Sequence, residues 1–90
     1  MKKITEPHNL GEDAARDVSK RINRIIGQLK GIQNMVGSGR DCNEVIQQVS
    51  AVKKAIDSLT EEILIHDVIP YIPPIRRKVI EEMIHRSISL

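Results

Sequence analysis

The sequence predicts an all-α fold in which each chain supplies two long helices and one short one. Three observations carry this expectation. Apolar residues recur at alternating intervals of three and four over two long stretches, the spacing of a helical seam. The 90-residue chain has a single aromatic residue, Tyr71. Its core must therefore come from Ile, Val, Leu and Met, which suits packed helices better than a small sandwich or barrel. Glycines at 37 and 39 and prolines at 70, 73 and 74 divide the chain into three pieces, because Gly ends helices and Pro cannot continue them.

Residues 1–10 read as a flexible lead. Asn9 or Gly11 is placed to cap the first helix, with Glu12 and Asp13 in its first turn, where acids favour the helix dipole. From Ala14 onward the seam runs Val18, Ile22, Ile25, Leu29, Ile32, Val36, and "GSGR" at 37–40 closes the helix. Asp41 then caps the second helix, and Glu44 three residues later completes a capping-box pattern. This second seam runs Cys42, Val45, Val49, Val52, Ile56, Leu59, Ile63, His66. Pro70 stops it, and Pro73 and Pro74 keep the following stretch extended. A third helix over roughly 75–88 is expected to turn Ile75, Val79, Met83 and Ile84 inward. Residues 1–90 form one domain on this reading. Two such hairpins would pair into an antiparallel four-helix bundle, since a chain this short buries a thin core alone.

Composition removes several classes of function. Without aromatic platforms to stack bases, an RNA-binding sheet is disfavoured. A single cysteine excludes an intrachain disulfide framework. No apolar run reaches membrane-spanning length, and the N-terminus lacks the apolar core of a signal peptide. The expected location is the cytoplasm, where a lone thiol stays reduced. Charge is uneven. Residues 1–40 hold eight Lys/Arg against four acids, while residues 41–90 hold six against eight. A basic half is the electrostatic footprint of a polyanion partner, although a solvated helix face gives the same signal.

The basic residues of the first helix are arranged. Arg16, Lys20 and Arg24 are four apart and share a face; Arg21 adjoins them and Gln28 extends the stripe. Lying off the seam, they are free to meet the phosphates of duplex DNA. Cys42 begins the second helix, where its sulfur sits in the positive field of the helix N-terminus; the plain alternative is a small core hydrophobe. His66 and Asp67 close the same helix. Asp67 is 25 residues beyond Cys42, about 37 Å along a helix. The two cannot meet within one chain, but an antiparallel partner would bring Cys42 close to residues 66–71. No phosphate loop, H-E-x-x-H, C-x-x-C or supported Ser-His-Asp set is present, so an enzyme is not expected. A helical-dimer enzyme of the chorismate-mutase kind would need its basic residues inside the bundle. A coiled-coil interaction module without DNA affinity is the other alternative.

The stretch "RINRIIGQLKGIQNMV", followed by Cys42 and then "VIQQVSAVKKAIDSLTEEIL", resembles the CsoR/RcnR/FrmR family of metal- or thiol-sensing bacterial repressors. Arg21, Arg24, Gly27 and Gln28 match one family pattern; Cys42, Gln47, Gln48, Val49, Ser50, Ala51 and Val52 match another. The likeness covers residues 16–69. It implies a three-helix protomer, a homodimer forming an antiparallel four-helix bundle, and a homotetramer built as a dimer of dimers. It also implies double-stranded operator DNA as partner, bound without a helix-turn-helix. Arg21 and Arg24 would then be contacts and Lys53 a further one. Finally, it implies a sensory site at the dimer interface that starts at Cys42 and lowers DNA affinity when occupied. The family's inducers include copper(I), nickel or cobalt, formaldehyde and reactive sulfur. In the copper branch, a His and a Cys follow the first Cys by 25 and 29 residues; here those positions are Asp67 and Tyr71, with His66 one residue early. The candidate metal set is therefore Cys42, His66, Asp67 and Tyr71, for copper(I) or for nickel, cobalt or zinc. The persulfide branch needs a second thiol, absent here. The nickel/cobalt branch uses an N-terminal His, to which His8 is close.

Overall fold

The computed structural model describes residues 9–88 and is helical almost throughout. Helix α1 spans Glu12–Gly37, α2 spans Cys42–Val68 and α3 spans Arg77–Ile88. The lead expected over residues 1–10 falls, up to residue 8, outside the described residues, as does His8. Helix α1 is entered from Gly11, whose backbone is extended (φ −66°, ψ 165°) and whose carbonyl accepts from the Ala15 N–H at 2.8 Å. Glu12 and Asp13 occupy the first turn as expected.

The turn between the long helices is built by hydrogen bonds that the glycine makes possible. Gly39 adopts φ +71°, a left-handed conformation that L side chains avoid. It lets the Arg40 N–H reach back to the Met35 carbonyl (3.0 Å) and the Gly39 N–H to that of Val36 (3.3 Å), a Schellman closure. Immediately afterwards the Asp41 carboxylate accepts the Asn43 N–H at 3.1 Å and starts α2. The other half of the expected capping box does not form. Glu44 turns to Arg40, with Oε2 at 2.9 Å from Nε and 2.8 Å from Nη2. A charge-assisted contact to guanidinium outcompetes a neutral backbone donor.

Folding α2 back on α1 sorts each seam into two columns. Val18, Ile25 and Ile32, seven apart, turn toward α2; Val45, Val52 and Leu59 turn toward α1. Val18, Ile25 and Val52 are the buried core, and the other three are half-buried. The alternate columns stay open. Ile22, Leu29 and Val36 on α1 are exposed, Val36 by 64%. On α2, Cys42, Val49 and Ile56 are exposed and Ile63 is half-buried. The molecule measures 53 × 26 × 18 Å. Its thinnest dimension is less than two helix diameters, so the described residues supply no second layer to cover those columns.

Beyond Val68 the chain passes through a 3₁₀ turn, Ile69–Tyr71, then extended Ile72 and Pro73, then a second 3₁₀ turn, Pro74–Arg76. Pro74 is thus not extended as predicted. Its fixed φ suits the first position of a helical turn, where a missing N–H costs nothing. The inward face of α3 also differs from expectation. Ile80, Glu81, Ile84 and Ile88 are half-buried, whereas Val79 and Met83 are exposed and Ile75 is 89% exposed. Of the four residues expected inside, only Ile84 is. Part of the reason is a polar contact to α2. His85 Nδ1 lies 2.9 and 3.0 Å from the two oxygens of Glu61. A carboxylate only accepts, so that ring nitrogen donates, and the contact ties this face of α3 to α2.

Candidate DNA-binding face and sensor site

Arg16, Lys20, Arg21, Arg24 and Gln28 all lie exposed on α1, and Lys53 lies exposed on α2. Folding the hairpin places part of this stripe beside α2, where Arg21 lines one open groove with Ser58, Glu61, Glu62, Ile65 and His85 and, together with Arg24, lines two more. The larger, about 350 Å³, is lined by Arg21, Arg24, Ile25, Gln28, Ala55 and Ser58. The smaller, about 170 Å³, is lined by Asp17, Lys20, Arg21, Arg24 and Glu62. Arg21 and Arg24 form the wall common to both. Arg16 stands apart with Asp13, Nη1 to Oδ1 3.4 Å. Lys53 lines neither groove. Ala55 leaves room for the larger groove, and Ser58 adds a hydroxyl to its floor.

One feature of this face differs from a stripe of free cations. Arg21 is held by Glu62 of α2, Nε to Oε2 3.0 Å, with the arginine side chain 47% exposed and the glutamate 22%. Glu62 Oε2 is enclosed and has no aligned hydrogen-bond donor. Among the described residues, no ion pair engages Lys20, Arg24 or Lys53. Ser58 and Glu62 could not be picked out in the sequence because they join the site only through the register of the hairpin.

The candidate sensor residues occupy opposite ends of α2. Cys42 is an exposed free thiol in its first turn and heads the open column of Val49 and Ile56. It is therefore not a residue of the hairpin's own core. His66 is exposed in the last turn, Asp67 is half-buried beside it, and Tyr71 is half-buried at the end of the 3₁₀ turn. Among the described residues no group of three or more His, Cys, Asp or Glu side chains is gathered to hold a metal ion. The length of α2 is the reason, since it keeps thiol and imidazole tens of ångströms apart. Chemically, thiol and imidazole suit copper(I), and imidazole also suits nickel or zinc, while the oxygens of Asp67 and Tyr71 suit a harder ion.

An all-helical hairpin with a basic outer face, an open apolar face and a thiol at the edge of the latter has the parts of a ligand-responsive regulator. Residues 14–85 match the family described as metal-sensitive transcriptional repressor, and the chain belongs to that family, one of repressors rather than enzymes. It is 34% identical over 67 residues to the copper-sensing transcriptional repressor CsoR of Bacillus subtilis (strain 168), a match covering 71% of this chain and 66% of that protein. It is 37% identical over 46 residues to the copper-sensing transcriptional repressor RicR of Mycobacterium tuberculosis (strain ATCC 25618 / H37Rv), covering 51% of this chain and 48% of that protein. An uncharacterised protein from the bioA 5′ region of Serratia marcescens is 36% identical over 44 residues, covering 49% and 48%. The matched stretches thus span between about half and two thirds of these relatives. No solved structure matches the chain at a significant level. No helix among the described residues is long and apolar enough to cross a membrane.

Proposed function

We propose that this chain, acting as one domain, is a cytoplasmic repressor that binds double-stranded operator DNA through the α1 face and releases it when Cys42 is metallated or modified. The observation that carries the reading is the position of Cys42 at the head of an open apolar column. The columns Ile22/Leu29/Val36 and Cys42/Val49/Ile56 make a face suited to a second copy of the hairpin. Antiparallel pairing across that face forms a four-helix bundle, the homodimer, and two dimers form the homotetramer. In that arrangement Cys42 of one copy approaches His66, Asp67 and Tyr71 of the other. A site split between copies links its occupancy to the geometry of the assembly, and so to the spacing of the basic faces.

Arg16, Lys20, Arg21, Arg24, Gln28 and Lys53 are assigned to DNA, with Arg21, Arg24 and Gln28 at the centre because they line the larger groove. Cys42 and His66 favour copper(I) as effector, in keeping with the copper-sensing relatives; the oxygens of Asp67 and Tyr71 favour a harder divalent ion. Both predict that the response to effector disappears with Cys42.

The test is fluorescence anisotropy of the reduced protein, without oxygen, on duplex DNA from upstream of its own gene, with copper(I) titrated in. Release near one equivalent per chain supports the copper reading. A complex that withstands copper(I) but yields to zinc, cobalt, nickel or an electrophile assigns a different effector to Cys42. Failure to bind any duplex at low salt would sink the repressor reading.

A further inference from the structure

We propose that Glu62 is a built-in competitor for DNA phosphate at Arg21, so that operator affinity depends on how readily α2 gives up that arginine. The proposal rests on the DNA-binding reading above.

Arg21 stands in the wall shared by the two grooves of the basic face, where Lys20 and Arg24 carry no ion pair among the described residues. Its guanidinium is already matched with an anion, Glu62 Oε2 at 3.0 Å. Carboxylate and phosphate present the same chemistry to guanidinium, negative oxygen acceptors in a plane or tripod. A phosphate seated on the outer edge of Arg21 brings its charge close to that of Glu62, and two like charges a few ångströms apart repel. DNA at this position therefore either tolerates the carboxylate or displaces it. Displacement leaves Oε2 enclosed with neither its ion pair nor an aligned donor, a state that opposes binding.

The geometry separates competition from the more familiar case in which a glutamate aligns an arginine for its target. Alignment requires a directed hydrogen bond, and the Arg21–Glu62 contact is an ion pair in which no donor points at Oε2. The carboxylate neutralises without orienting. The neighbouring Glu61 is engaged by His85 of α3, and both line one groove with Arg21 and Glu62. The second acid in the smaller groove, Asp17, is exposed and holds no ion pair among the described residues. It serves as an internal control for the general effect of a negative charge near DNA.

The experiment compares duplex affinity of the intact oligomer for wild type, Glu62→Gln, Asp17→Asn, Arg21→Ala and the Glu62→Gln/Arg21→Ala double variant. Low salt keeps the weakest binder measurable. Glu62→Gln is expected to tighten binding about two- to fivefold beyond Asp17→Asn, and that excess should vanish in the Arg21→Ala background. Glu62→Asp keeps the charge but withdraws the carboxylate, and should give part of the gain; it stands in if the amide variant does not fold. An excess that survives Arg21→Ala, or a Glu62→Gln affinity equal to that of Asp17→Asn, overturns the proposal. So does weaker binding by Glu62→Gln, which would make the glutamate an aligning group. If wild type binds no duplex, the DNA reading falls and takes this one with it. If wild type binds and only the Glu62 variants fail to respond, this proposal alone falls.

Discussion

Arg24 is an exposed cation that two grooves share and that no acid among the described residues claims. As a phosphate contact it carries charge but no base information. Arg24→Ala is expected to weaken duplex binding evenly across unrelated sequences. The slope of log affinity against log salt should become shallower by about one, the value for a single phosphate no longer neutralised. A loss confined to one sequence would instead make Arg24 a reader of base edges. Cys42 predicts the opposite pattern. Cys42→Ser should bind DNA like wild type and no longer respond to the effector; anisotropy with and without effector checks both halves. The arginine stripe and the cysteine were legible in the sequence because helical spacing alone puts residues on a face. The Arg21–Glu62 pair was not. It depends on which residue of α2 lies opposite Arg21, and the length and path of residues 38–41 decide that. Helical spacing makes Arg21 a free surface cation; only the folded hairpin supplies the group that restrains it.

At the scale of the helix, the boundaries were the most legible feature, since they are written in residues with local mechanisms. Gly39 is needed for its positive φ, and Asp41 for the side chain that satisfies Asn43. A methyl group at Gly39 meets no neighbouring atom, so any penalty there comes from the backbone alone. Gly39→Ala is expected to cost about 1 kcal/mol, and Asp41→Ala about 1 kcal/mol, both read by chemical denaturation at fixed protein concentration. A neutral Gly39→Ala would mean that the turn relaxes into another closure. What stayed illegible was rotation. The apolar residues of α3 fit more than one inward face, and the face chosen is fixed partly by His85 reaching Glu61, a pairing between residues 24 apart. Likewise the capping box at Asp41 was a sound local pattern that lost to Arg40, a residue just outside the motif.

On the scale of the whole molecule, each long helix spends one apolar column inside the hairpin and leaves the other open. Three helices per chain followed from the heptads; the division of each seam between two partners did not, because spacing does not say which helix a column faces. If a second copy covers the open columns, a charge placed there should disperse the assembly. Val49→Glu is expected to convert the oligomer to monomers by light scattering and to lower helicity with it, whereas the same change at an exposed polar position should do neither. An oligomer that survives Val49→Glu would mean that the face serves another partner. The slab-like build has a further consequence. A hairpin with three buried apolar side chains among the described residues has a thin core of its own, so on the proposed assembly its folding follows mass action. Melting temperature then rises with protein concentration, and scarce chains are those most readily lost to proteases. The abundance of such a repressor becomes self-thresholding: below a certain copy number it fails to occupy its operator because it fails to persist.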